Sequence, residues 1–166
     1  MSTLAHAFPM VRAGGMFITI MGIGVLLGAL VPGRRRMLVI VGAVVASIAI
    51  ALSAARLSAP FGMPSALQII FLVGSICLEG ILIRVAVALY RSAGERSLLL
   101  AILFAVGLHF LPMAVAFGPL CAALAVTLCA CAGAGLWLWQ ALPLNRLWAS
   151  DGLIKIAYGA IMFFAY

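Results

Sequence analysis

Glu79 and Arg84 stand inside "CLEGILIRVAVALY", residues 77–90, a run with no other charge, in a chain that has only three acidic side chains. A carboxylate in apolar company can hold a proton, pair with a base or line a polar path. Glu79 lies fourteen residues after Ser65, deep in the apolar run 65–90. Ionised in hydrocarbon it costs at least about 3 kcal/mol, so it is expected to face a bundle interior, a water-filled cavity or a partner. Arg84 follows at about 140° around a helix, a poor angle for pairing with Glu79. It is expected to answer an acid on another helix or to reach headgroups.

A second acid and base, Asp151 and Lys155 in "SDGLIKIAYGAIMFFAY", are spaced i,i+4, which stacks them on one helix face. Asp151 also follows Ser150, where a carboxylate favours the first turn of a helix. If that helix begins near Leu147, Lys155 lies about 12 Å deep, where it needs Asp151, Glu79 or water as company. His109 in "GLHFLP" precedes Pro112, whose missing N–H frees a carbonyl and bends many membrane helices. It could titrate near neutral pH and gate a path, or satisfy that carbonyl, or bond a second helix. The functional reading of Glu79, Arg84, His109, Asp151 and Lys155 is a line of groups along a permeation path. The structural reading is interhelical pairing that fixes packing.

Other chemistry finds no support. Cys129 and Cys131 in "CACAG" point about 200° apart on a helix and cannot chelate one ion together, so they read as small apolar residues. "GIGVLLG" and "GAGLW" offer close helix packing and are no phosphate loops, since neither joins a strand to a helix. There is no Ser-His-Asp set, metal quartet or nucleotide motif. An enzyme, a cofactor and a metal are not expected.

The elements that must position these residues follow from composition. The 166 residues are 67% hydrophobic and 8% charged, too few polar groups to cover a soluble domain. At roughly 20 apolar residues per span there is room for about six helices and little else. Punctuation places them near 15–32, 36–56, 65–90, 97–116, 119–142 and 147–166, an all-α, six-helix transmembrane bundle forming one domain over 1–166. No small-residue cleavage site precedes "VPGRRR", so the first run reads as a retained span.

Net charge is +7, and the arginines cluster at helix ends. Arg34, Arg35, Arg36, Arg91, Arg96 and Arg146 fall in alternate loops, against Arg12 and Arg56 on the other side. That excess predicts those loops in the cytoplasm of a bacterial inner membrane, with both termini outside. Tyr90, Trp137, Trp139 and Trp148 would mark the inner boundary, and Phe61, Phe117 and Tyr166 the outer. Arg34, Arg35 and Arg36 would meet anionic lipid headgroups. Membrane lipids, a small neutral or charged solute and further copies of the chain are the expected partners; nucleic acid is not.

The motif Glu79-Gly80…Arg84 in the third helix parallels Asp151-Gly152…Lys155 in the sixth, with a one-residue gap. A match three spans apart suggests two halves, 1–92 and 96–166, entering the membrane from opposite sides. Such inverted repeats place a functional site at their interface near the midplane.

The closing stretch "LNRLWASDGLIKIAYGAIMFF" and "HFLPMAV" in the fourth helix resemble the small six-span bacterial urea channel and amide transporter family. The resemblance implies a path for urea or short amides in an oligomeric ring, with Asp151 matching a carboxylate near its inner end. The chain departs from that family in its short "LSAPFGMPS" loop and in Arg84 and Lys155, which have no obvious counterparts there. The expectation is thus a small-solute channel or transporter with a polar, charge-balanced site near the midplane. The alternative is a non-transporting membrane subunit, or a lipid-interacting or stress-response membrane protein, whose buried charges specify packing or partner binding.

Overall fold

The computed structural model describes residues 7–165, and nothing but helices and short turns is found among them. The helices are α1 (Val11–Leu30), α2 (Arg35–Ser58), α3 (Ala66–Tyr90), α4 (Glu95–Phe117), α5 (Pro119–Trp137) and α6 (Leu144–Phe164), with a 3-10 turn at Pro32–Arg34. Among the described residues these six helices are long and apolar enough to cross a membrane. This is the architecture of a multi-pass membrane protein.

Local chemistry sets most boundaries. Ser65 and Gln68 form a capping box at α3: Ser65 Oγ accepts from the Gln68 N–H, and Gln68 Oε1 accepts from the Ser65 N–H. Gly118, at φ 90°, closes α4 and opens α5, and Pro119 follows at the first helical position, where no N–H is needed. Three bounds differ from expectation. α1 begins at Val11, because the Val11 N–H bonds Phe8 O beyond Pro9. α6 begins at Leu144, directly after Pro143, whose carbonyl accepts from the N–H groups of Arg146 and Leu147. α5 stops at Trp137, because the N–H groups of Leu138 and Trp139 both turn back onto Ala134 O.

Helices pack in the order α2, α1, α6, α5, α4, α3, with α1 also touching α4. The closest seam is α1 on α6. A Cβ on Gly22 would lie 2.8 Å from Gly152 O, and one on Gly159 would lie 2.7 Å from Gly15 O. Glycines here let two backbones approach as no larger residue would. Gly24 and Gly42 do the same between α1 and α2. Between α3 and α4 the small side chains are Ala86, Ala101 and Ala105. α2 and α3 are largely exposed along their lengths in the single chain.

The aromatic expectation divides. Trp137 and Trp139 are exposed near the arginine-rich end, whereas Trp148 and Phe61 are buried. Tyr166 lies outside the described residues.

Candidate functional site

α3, α4 and α6 each bring one ionisable group to a similar level. Counted at about 1.5 Å per residue from the arginine-rich helix ends, Glu79 and Lys155 lie about 16 Å in and His109 about 21 Å in. Lys155 is the middle of α6 because that helix starts at Leu144. Asp151 is one turn nearer the arginine-rich end.

Asp151 and Lys155 form a direct pair, Nζ to Oδ2 at 2.5 Å, with both side chains 4% exposed. The capping alternative for Asp151 is thereby corrected: the residue preceding α6 is Pro143, its first turn carries no acid, and Asp151 is buried two turns in. The pair is closed on one helix, as i,i+4 spacing permits.

His109 is 4% exposed and reaches in two directions. Its Nδ1 lies 2.5 Å from Val106 O, and its Nε2 lies 3.8 Å from Glu79 Oε2. A carbonyl only accepts, so Nδ1 carries hydrogen and Nε2 is the atom turned to Glu79. α4 runs unbroken through Pro112. The carbonyl that Pro112 deprives of its i→i−4 donor belongs to Leu108, so His109 is not the group that satisfies it. Glu79 keeps 31% of its side chain exposed. Two pairs, Glu79–His109 across α3 and α4 and Asp151–Lys155 on α6, thus make up a polar set drawn from three helices.

Arg84 does not join it. It is exposed on the face of α3 opposite buried Ser75 and Ala86, with no hydrogen bond or ion pair to the described residues. It is six residues from the end of α3, about 9 Å, so a long side chain lying along apolar surface can bring its charge to the interface. The expected charge balance is therefore corrected: the set holds Glu79, Asp151, Lys155 and a histidine, with no second permanent cation.

The glycines beside the two acids also differ. Gly152 is pressed against α1, where a Cβ would lie 2.8 Å from Leu26 N, while a Cβ on Gly80 would meet nothing within 4 Å.

Arg35 departs from the headgroup expectation, while Arg34 and Arg36 are exposed as that expectation requires. Arg35 is 8% exposed. It donates from Nη2 to Asn145 Oδ1 at 2.6 Å, stacks 5.0 Å from the Trp148 ring and approaches Glu95 Oε1 at 3.9 Å. It ties the start of α2 to the start of α6. Arg96 has a role that the sequence does not announce: its guanidinium donates to the carbonyls of Gly135, Trp139 and Leu142 and so caps the frayed end of α5. The only sequence signal for either is an arginine beside a helix end.

Cys121 and Cys129 donate to Phe110 O and Phe104 O at 3.5 and 3.7 Å, acting as small packing residues between α5 and α4. No group of three or more His, Cys, Asp or Glu able to hold a metal is found among the described residues.

A six-helix membrane bundle with a polar set at mid-depth is the class these features define. The chain belongs to the family of unknown function DUF6609, which matches residues 2–166. No curated protein and no solved structure matches it significantly.

Proposed function

We propose that the chain is a small-solute transporter or gated channel of the bacterial inner membrane, with both termini outside. The observation that carries the reading is the polar set itself. Glu79, His109 and the Asp151–Lys155 pair come from three helices and occupy similar depths in an otherwise apolar bundle. Ionisable groups are costly there, and in membrane proteins they mark ion and solute pathways. Asp151 and Lys155 are each 3% exposed, which favours a gated or alternating path over a permanently open one.

Helix pairing supports an inverted repeat. α1 packs on α2 and α6, and α4 packs on α5 and α3. Exchanging α1 for α4, α2 for α5 and α3 for α6 maps one set onto the other, and the α1–α4 contact maps onto itself. The α5–α6 contact has no equally extensive α2–α3 equivalent. Urea and short amides are the first solutes to try, given the resemblance of α6. Stopped-flow light scattering on proteoliposomes tests the proposal. Protein-dependent entry of urea or acetamide is the expected result, and permeability equal to that of empty liposomes for every solute would count against a path for them.

The second reading, a packing or partner-binding subunit, rests on how completely the Asp151–Lys155 pair is closed on its own helix. It predicts that changes at Glu79 alter stability or assembly and that there is no flux to alter. Arg34 and Arg36, exposed at the arginine-rich end, suit anionic headgroups under either reading.

A further inference from the structure

The charges of the polar set do not cancel. Lys155 is bound to Asp151 at 2.5 Å, and Arg84 is on the far face of α3. That leaves Glu79 with no cation of its own except a histidine. Val106 O holds the hydrogen on His109 Nδ1, so a neutral His109 presents a lone pair at Nε2. An ionised Glu79 presents another at Oε2, 3.8 Å away. Two acceptors facing each other in a mostly apolar setting repel, and one proton between them turns the contact into a charge-assisted hydrogen bond.

We infer that Glu79 and His109 together form a binding site for a single exchangeable proton, which makes a proton the coupling or gating ion of the proposed path. This rests on the transport reading for its purpose but not for its existence. The proton binds at the contact between Glu79 and His109, forming either the carboxylic acid facing Nε2 or the imidazolium facing the carboxylate. In both forms the set is neutral. When the proton leaves, the set carries one uncompensated negative charge at Glu79, since Lys155 is paired with Asp151.

The ionisable groups around the site are few. α4 contributes His109 and, at its arginine-rich end, Glu95 and Arg96. α6 contributes Asp151, Lys155 and Tyr158, the last bonded to Thr127 Oγ1. α5 contributes the thiols Cys121, Cys129 and Cys131, and α3 itself carries Cys77, Arg84 and Tyr90. Among them Glu79 and His109 are the two that face each other across helices.

The test is pH-difference infrared spectroscopy of the full chain in liposomes between about pH 4 and 9, with Glu79→Gln, His109→Gln and Glu95→Gln. The inference expects one titrating group, seen as a carboxylic-acid C=O band removed by Glu79→Gln or as an imidazolium band removed by His109→Gln. Each substitution should shift or abolish the signal of the other residue. Glu95→Gln, on an exposed carboxylate, should leave it unchanged. If Glu79→Gln does not fold, the His109→Gln shift of the Glu79 band decides the matter. Glu79 ionised throughout with a neutral His109, or two independent titrations, would overturn the inference. A midpoint that moves with sodium at constant ionic strength would overturn it in favour of a monovalent cation. A titrating pair in a protein that moves no solute would sink the transport reading alone.

Discussion

At the scale of single residues, Asp151 and Lys155 are the most tightly paired charges among the described residues, 2.5 Å apart with both side chains 4% exposed. Lys155→Met should cost about 3–5 kcal/mol, since it strands a buried carboxylate. The double change Asp151→Asn with Lys155→Met should recover much of that loss. Thermal unfolding of the purified protein would check both; equal losses in the single and double variants would mean the pair is not coupled. The arginines separate in the same way. Arg35→Gln removes a bond to Asn145 and a stack on Trp148 and should cost about 1–3 kcal/mol. Arg84→Gln, with no partner among the described residues, should stay within about 0.5 kcal/mol. The i,i+4 spacing makes Asp151 and Lys155 legible as neighbours in the sequence itself. The meeting of Glu79 with His109 is not legible there, because it depends on how α3 and α4 slide past one another, and nothing local sets that register. Depth alone draws Arg84 into the same group. Its angle from Glu79 points elsewhere, and the helix face overrides the depth.

At the scale of elements, glycine decides which helices come together. A methyl on Gly159 would fall 2.5 Å from Thr19 Oγ1, so Gly159→Ala should force α1 from α6 and cost about 1–3 kcal/mol. Gly80→Ala, where nothing lies within 4 Å, should be neutral or slightly stabilising through helix propensity. Melting temperatures of the two variants in the same detergent give the comparison, and a similar loss in both would contradict the assigned seam. The six spans are readable from hydropathy because lipid demands a full apolar turn count from every one. Their ends are less readable. Hydropathy alone carries the fifth helix to Leu142, and only the backbone shows the chain turning back at Ala134 under the Arg96 guanidinium. For the sixth, Asn145 and Arg146 look like loop residues, which points to a start at Leu147. Pro143 instead starts the helix at once, and that moves Lys155 to its middle.

At the scale of the whole molecule, the excess of arginine at one end of the bundle predicts its orientation. A C-terminal alkaline phosphatase fusion should be active and a fluorescent-protein fusion dark if the chain ends outside the inner membrane. The reverse pattern would invert the assignment of both ends and leave the polar set at the same depth. A solute path through that set is tested by stopped-flow swelling of proteoliposomes in urea, acetamide and glycerol at about pH 5 and 8, comparing the wild-type chain with Glu79→Gln. At least one solute should enter faster than into empty liposomes, dependent on pH in the wild type and altered, with its pH dependence lost, in Glu79→Gln. Protein-dependent entry that is identical in the two proteins at both pH values would contradict it, because the path would then lie elsewhere in the bundle.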